Sequence, residues 1–438
     1  MKFLVVTQDG FGSALAMKLT REGNAVRLHI GDPEARNIFE GLADKVDDWK
    51  QSLAWAECVV FLDNKCVDIW RECVKTKPCY QGSEAGQKLE KDRLFSGKLA
   101  KEIGMEVPES LSVKTVAEVE KHLSAHPVKH VLKFTGGTCD SDDVLLGEYD
   151  DGRDLLRFCR FIEESGKKWD EIEIQEKIDG LEVGMAGYFD GEKFDKDVEL
   201  NFQMKRFAAG DGGNGVGFLT GETGTLIRFV TQKNEFYKRT LGAVAPYLKK
   251  VGYRGECDIG TIVSPDGKIY FIEFTPRTGV PDYVIQWELR ETPVGDLIYQ
   301  VATGKLTDKN KVRAGWAMGV VVMTPGFPDP DSSEKRSVGL PILGYDGQED
   351  HCALFEARKG KDGLEISEGG YGYPCVMTGR GPTAESAIRR TYWMLNSANT
   401  KRVFVPKGWY RSDIGQRVVE NKEEFIELGV CTESEWDD

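Results

Sequence analysis

Residues 253–279 read YRGECDIGTIVSPDGKIYFIEFTPRTG, and the fold turns on this stretch. Pro265, Asp266 and Gly267 are turn formers between two segments of alternating pattern, which predicts a β-hairpin. On its second strand Glu273 and Thr275 lie two residues apart, so they share a face. An acid there suits magnesium, which keeps several waters and takes only one or two protein carboxylates. Arg277, just past the strand, offers a planar fork that matches a carboxylate or a phosphate.

Upstream lie three further pieces, in order. Leu89 to Phe95 (LEKDRLF) sits on an expected helix from Gly86 to about Gly104, and it carries Arg93. Val131 to Phe134 (VLKF) is a strand that brings Lys133 to the turn Gly136-Gly137-Thr138. Ile174 to Glu182 (IQEKIDGLE) is a strand and turn with carboxylates at Glu176 and Glu182. A nucleotide held between two sheets needs such a set. Cations from separate elements neutralise phosphate oxygens, the backbone of Glu176, Lys177 and Ile178 meets an adenine edge, and Glu182 accepts from ribose hydroxyls. Each piece alone is commonly structural; their order and spacing together carry the reading.

The amino terminus reads strand (Lys2 to Thr7), glycine turn (Asp9 to Ser13), helix (Ala14 to Glu22) and strand (Ala25 to Ile30), with a further buried strand at Cys58 to Leu62. Short apolar strands alternating with helices predict a parallel sheet covered on both faces. Gly10 and Gly12 with Asp32 approach a dinucleotide-binding fingerprint. Nothing downstream supplies a dehydrogenase site, so a tight turn, or an anion at the free N–H groups of the helix, are the competing readings.

With 438 residues, two or three domains are expected. The chain carries 58 basic and 72 acidic residues, a net charge of −14, without a dense basic block, which points away from nucleic acid. No apolar run approaches the ~20 residues of a membrane helix. The amino terminus lacks the cleavage site of a signal peptide, so a cytoplasmic protein is expected. Ten cysteines without a CxxC pair read as reduced, mostly buried thiols.

Taken together, these segments resemble the ATP-grasp superfamily, and within it the phosphoribosylamine–glycine ligase family of purine synthesis. The resemblance is collinear over nearly the whole chain. It covers LEKDRLFSGKLAKEIGMEVPES, HVLKF, IQEKIDGLEVG, the pair Lys205-Arg206 before the glycine-rich 210–217, and the hairpin. Its most specific part is carboxy-terminal: GVVVMTPGFP, GLPI, SEGGYGYPCVMTGRGPTAESAIRRTYWML and YRSDIGQR. The implied fold is multidomain, α/β and α+β. Residues 1–88 would form a Rossmann-like domain preceding the ATP-grasp, 89–312 the ATP-grasp nucleotide domain, and 313–438 an α+β carboxy-terminal domain.

The resemblance implies an ADP-forming ligase that joins an amino acid such as glycine to an amine through an acyl phosphate. ATP and magnesium, or manganese in its place, would serve it. The partners would be small molecules, and the chain a monomer or small homo-oligomer. Arg93, Lys133, Glu176, Lys177, Ile178 and Glu182 would hold ATP. Glu273, Thr275 and Asp258 would hold the metal, Arg277 and Lys205 would face the reacting groups, and Gly10, Gly12 and Ser13 the amine.

Several departures fall on chemistry. The family grasps its amine's phosphate with Gly-Gly-Arg-Glu-His, where this chain has Gly10-Phe11-Gly12-Ser13. A family Gly-Lys-Gly becomes the acidic loop 139–143, the second metal ligand Asn becomes Thr275, and Asp-Pro-Glu becomes Val280-Pro281-Asp282. A family Asn and Arg become Glu368 and Tyr371, and Arg93 stands where a lysine is usual. A changed substrate and a nucleotide or metabolite sensor without catalysis are the two explanations. The first is favoured, because Lys133, Glu182, Glu273 and Arg277 stay together.

Overall fold

A computed structural model describes residues 1–136, 144–210, 217, 219–328, 337–345, 347, 351–396 and 403–437. The amino-terminal strands β1 (Lys2–Thr7), β2 (Ala25–Ile30), β3 (Cys58–Phe61) and β4 (Cys79–Tyr80) form a parallel sheet in the order β2-β1-β3-β4. Phe3, Leu4, Val5 and Val6 are all fully buried, as a strand covered on both faces requires.

A second sheet holds β5 (Ser110–Val113), β6 (His130–Thr135), β7 (Val144–Leu146) and β8 (Glu171–Glu176), in the antiparallel order β5-β8-β6-β7. Helices Val116–Ala125 and Arg153–Glu164 pack on it through Val119, Leu123, Leu155, Cys159 and Ile162, which share a core with Leu132, Phe134, Ile172 and Ile174.

The third sheet is the largest. It contains β9 (Leu181–Phe189), β10 (Asp197–Arg206), β11 (Leu219–Thr231), β12 (Gly255–Val263), β13 (Ile269–Thr275), β14 (Trp316–Val322), β15 (Cys352–Leu354) and, after the hairpin β16 (Ala357–Gly360) and β17 (Gly363–Ile366), β18 (Cys375–Gly381). Its order is β13-β12-β9-β10-β11-β14-β18-β15. The boundary expected at 312–313 does not interrupt this sheet, since β14 pairs with β11 from Gly224 to Arg228. Helix Ala384–Leu395 buries Ala384, Ala387 and Thr391.

Strand β10 shows how the sheet is sided. Val198, Leu200, Phe202 and Met204 join the core with Trp316, Phe425 and Trp436. Glu199, Asn201, Gln203 and Lys205 alternate with them and so share the opposite, polar face.

The single helix expected from Gly86 to Gly104 is instead two, Glu84–Lys91 and Arg93–Glu102. Asp92 leaves the helical region (φ −88°, ψ 83°), and its carboxylate accepts from Phe95 N–H at 3.0 Å, capping the second helix. This break places Arg93 at the first helical position. The nine described cysteines are buried free thiols. No described helix is long and apolar enough to cross a membrane.

Candidate functional site

A cavity of about 370 Å³ opens between the second sheet and the polar face of the large one. Lys133, Glu176, Lys177, Ile178, Glu182 and Lys205 line it, and Val131, Leu146, Ile262 and Phe271 supply apolar wall. The segment from Glu176 to Gly180 crosses from β8 to β9, so the connection between the two sheets is itself a wall of the cavity. Lys177 is anchored there: its N–H donates to Lys129 O at 2.9 Å and its ammonium pairs with Glu148 at 3.2 Å.

Two charge arrays reach this space, the first through Lys133 and the second through Glu182 and Lys205. In the first, Lys133 and Glu173 are ladder partners on β6 and β8, and Glu173 Oε2 lies 3.7 Å from Lys133 Nζ and 3.8 Å from Arg93 Nη1. Burial lowers the Lys133 ammonium from its ordinary value, with Glu173 opposing. In the second, Lys205 Nζ sits 2.9 Å from Glu182 and 3.3 Å from Glu273. Burial alone would lower the Lys205 ammonium, but the two carboxylates outweigh it and hold it above its ordinary value. Lys205 in turn holds the Glu273 carboxyl below its ordinary range, with Arg277 and Arg93 adding to the effect. Lys133 also feels the Glu273 charge. The cations from distant segments and the hairpin acid therefore converge on one site.

Beyond Lys205 the polar face continues inward. Asp258 stands opposite Thr275 in the ladder, and Glu273 opposite Gly260, so the expected metal ligands share a face. Asp258 is nevertheless engaged elsewhere: Gln203 Nε2 donates to its Oδ2 at 3.2 Å and to Asp282 Oδ2 at 3.1 Å. Among the described residues no three His, Cys, Asp or Glu side chains are arranged to hold one metal ion. Of the expected ligands, Glu273 is the one whose carboxylate is exposed beside Lys205. Burial, then the neighbouring Asp282, pushes Asp258 up to about 7. Burial raises Glu256 to about 8 and takes Glu199 and Glu222 well above the ordinary carboxylate range.

These raised values fix the sign of a pH effect. An acid whose folded value is raised binds more protons folded than unfolded, so stability falls as pH rises between the two values. The midpoint of thermal unfolding is expected to fall from about pH 5 to pH 8 through Asp258 and Glu256. Asp258→Asn and Glu256→Gln should flatten that slope, which melting curves at several pH values would read.

Other expected residues sit apart from the cavity wall. Arg277 Nε donates to Glu90 at 3.1 Å and Nη1 to Thr278 O at 3.2 Å, so its fork ties the hairpin end to helix Glu84–Lys91. Gly10, Gly12 and Ser13 are buried in the amino-terminal turn. A Cβ on Gly10 would strike Ile38, and one on Gly12 would crowd Thr7, so packing explains both glycines. Asp9 caps the turn by accepting from Phe11 N–H at 3.1 Å, and Lys65 pairs with Asp9 at 3.3 Å. The Phe11 N–H is therefore taken by a carboxylate of this chain. Phe11 stacks on Tyr371 with ring centroids 5.5 Å apart, and its carbonyl accepts from Tyr283 Oη at 2.7 Å. Glu368 accepts from Asn37 at 3.3 Å. The acidic loop 139–143 and most of 210–217 lie outside the described residues.

Sequence reasoning missed Glu173, Gln203 and Glu222. The polar alternation of β10 was a usable signal for Gln203. Nothing local marked Glu173 as the bridge between Lys133 and Arg93.

No family model matches the chain. It is 22% identical over 440 residues to the phosphoribosylamine–glycine ligase of Nostoc sp., covering 95% of this chain and all of that one. Among solved structures, the phosphoribosylamine–glycine ligase of Thermotoga maritima superposes with a TM-score of 0.69 at 19% identity, covering 94% of this chain and 100% of that one. The biotin carboxylase domain of the Hydrogenobacter thermophilus 2-oxoglutarate carboxylase, solved with MgADP and bicarbonate, gives 0.64 at 14% identity and 99% of both chains.

Proposed function

Because the chain is a divergent relative of the phosphoribosylamine–glycine ligases on an ATP-grasp fold, we propose that it is an ATP-dependent, ADP-forming carboxylate–amine ligase. The observation that carries this reading is the convergence of Lys133, Arg93 and Lys205 with Glu273 beside one cavity of nucleotide size. It is proposed to act in the cytoplasm on small molecules.

The chemistry asks little covalent work of the protein. A substrate carboxylate oxygen attacks the terminal phosphorus of ATP, forming an acyl phosphate as the bond to ADP breaks. A neutral amine nitrogen then attacks the acyl carbon, the C–N bond forms as the C–O bond to phosphate breaks, and inorganic phosphate leaves while the nitrogen gives up a proton. Positioning and charge neutralisation are what the site supplies. Lys133 and Lys205 would neutralise phosphate oxygens. The walls at Val131, Leu146 and Phe271 exclude water from one side of the adenine, and the backbone of Glu176 to Ile178 orients its edge. Glu182 accepts from ribose. Magnesium, held by Glu273 when bound, supplies the charge that draws electrons from the breaking phosphate bond.

MgATP is expected to raise the melting temperature of the whole chain, and ADP release is expected to require both a carboxylate and an amine, read by a coupled assay over amino acids and amines. Binding without turnover on any pair would assign the chain as a sensor. Absence of nucleotide binding would remove the reading altogether.

A further inference from the structure

Strands β10 and β11 lose register where two cations of the cavity are presented. Met204 pairs with Gly224 but Arg206 with Leu219, so Lys205 faces an irregular stretch of β11 from Thr220 to Thr223. An irregularity of this kind bends the strand pair and re-aims the side chains at it. Lys205 and Arg206 both line the nucleotide cavity. Side chains take the carbonyls of this junction. Thr220 Oγ1 donates to Lys205 O at 2.9 Å, and Thr223 Oγ1 stands 2.8 Å from Met204 O and 3.1 Å from Arg206 O, within reach of either. Arg206 O also accepts from Arg411 Nη1 at 2.9 Å, across 205 residues of chain.

Arg411 is only 2% exposed, and Thr223 is fully buried. The guanidinium meets Asp413 with both edges of its fork, Nε to Oδ1 and Nη2 to Oδ2 at 2.9 Å each, and Nη2 also donates to Gly210 O at 3.0 Å. Asp413 in turn accepts from Gly210 N–H at 2.7 Å, so the pair grips both backbone groups of a residue just beyond β10. Tyr392 ties this clip to helix Ala384–Leu395: its Oη donates to Arg411 O at 2.9 Å and accepts from Ile414 N–H at 2.8 Å. Burying a guanidinium is costly, and packing alone would be met by an apolar side chain of similar volume. A planar fork that reaches two carbonyls and a carboxylate in fixed directions supplies geometry instead. The same segment reaches the cavity directly, since Arg417 lines it.

We propose that Thr223, Arg411 and Asp413 are positioning residues of the nucleotide site, which fix the junction of β10 and β11 and through it the direction of the Lys205 ammonium. Glu182 and Glu273 set where that ammonium ends; the clip sets where its strand starts. A misplacement of about 1 Å can cost about 10²-fold in rate, so residues remote from the chemistry have a long lever on it. That Lys205 meets phosphate rests on the ligase reading.

The test uses the whole chain, with ADP release and MgATP affinity as readouts beside melting curves. Thr223→Val keeps the shape of the side chain and removes the hydroxyl, so kcat/KM should fall by roughly tenfold. Thr223→Ser, which keeps the hydroxyl, should restore most of it. Arg411→Met should lose roughly 10²-fold. The discriminating measurement is the cycle with Lys205→Met. Adding Thr223→Val to Lys205→Met should cost no further activity, although the melting temperature still falls. Parent-like activity in either folded variant, a loss in Thr223→Ser equal to that in Thr223→Val, or losses that multiply in the double variant would each overturn the proposal. Should Arg411→Met fail to fold, the Thr223 series decides. A parent that binds MgATP without turnover sinks the ligase reading, and the same cycle read as MgATP affinity then decides this inference. A parent that turns over while the variants match it sinks this inference alone, and one that binds no nucleotide sinks both.

Discussion

Glu273→Ala is expected to abolish amine-dependent ADP release, a fall in kcat of roughly 10²–10³ or more, with the fold intact. Glu273 is the carboxylate on which Lys205, Arg277 and Arg93 act together, and it lies within the electrostatic reach of Lys133. Removing it takes away the acid proposed to hold magnesium against phosphates, and frees Lys205 to turn wholly to Glu182. Its side chain is 54% exposed, so no cavity forms in a core and little stability is lost. The check is steady-state ADP release beside a melting curve. Full turnover in the variant would remove the metal assignment, and with it the reason for placing the terminal phosphate at this end of the cavity.

Lys205→Met carries the second large effect, and it has two readouts. In the proposed role, the cation shared by Glu182 and Glu273 meets charge that develops on a transferring phosphoryl group, so kcat/KM should fall by roughly 10²–10³. The stability change should depend on pH in a definite direction. Glu273 has a folded value below its ordinary 4.5, so its contribution is fully present above about 4.5 and is lost as pH falls through the lowered value. For Lys205 the folded value is raised, so its contribution is present below about 10.5 and is lost only at higher pH. The variant should therefore be less stable than the parent at pH 7, by about 1–2 kcal/mol. That is less than the ~3–5 kcal/mol of a fully buried pair, since Glu273 is half-exposed. The gap should narrow as pH falls through the lowered Glu273 value. Denaturant unfolding at pH 7 and at successively lower pH reads it, and a gap independent of pH would show that Lys205 acts by packing instead of charge.

Local patterns carried much of this protein into view from its residues. The apolar runs at Lys2–Thr7 and Ala25–Ile30, short and bounded by turn formers, and the alternation around Pro265-Asp266-Gly267 mark strands, and each forms as expected. The cavity residues Lys133, Glu176, Lys177, Ile178, Glu182 and Lys205 were also legible, because a strand end or a turn presents its side chain wherever the sheet happens to lie.

Long-range pairing decided the rest. Whether Asp92 ends one helix or caps the next depends on how two helices pack, and a single helical period ran through both. Arg277 is engaged by Glu90, 187 residues away, and Lys133 and Arg93 are joined through Glu173, distances over which sequence spacing carries no geometry. The buried acidic cluster is the clearest case. It draws on β10, β11, β12 and the helix Asp282–Gln286, so Glu199, Glu222, Asp258 and Asp282 become neighbours only once strand register and helix packing bring them together. Composition showed that the chain is acidic; which acids share one buried volume is a property of the tertiary structure alone.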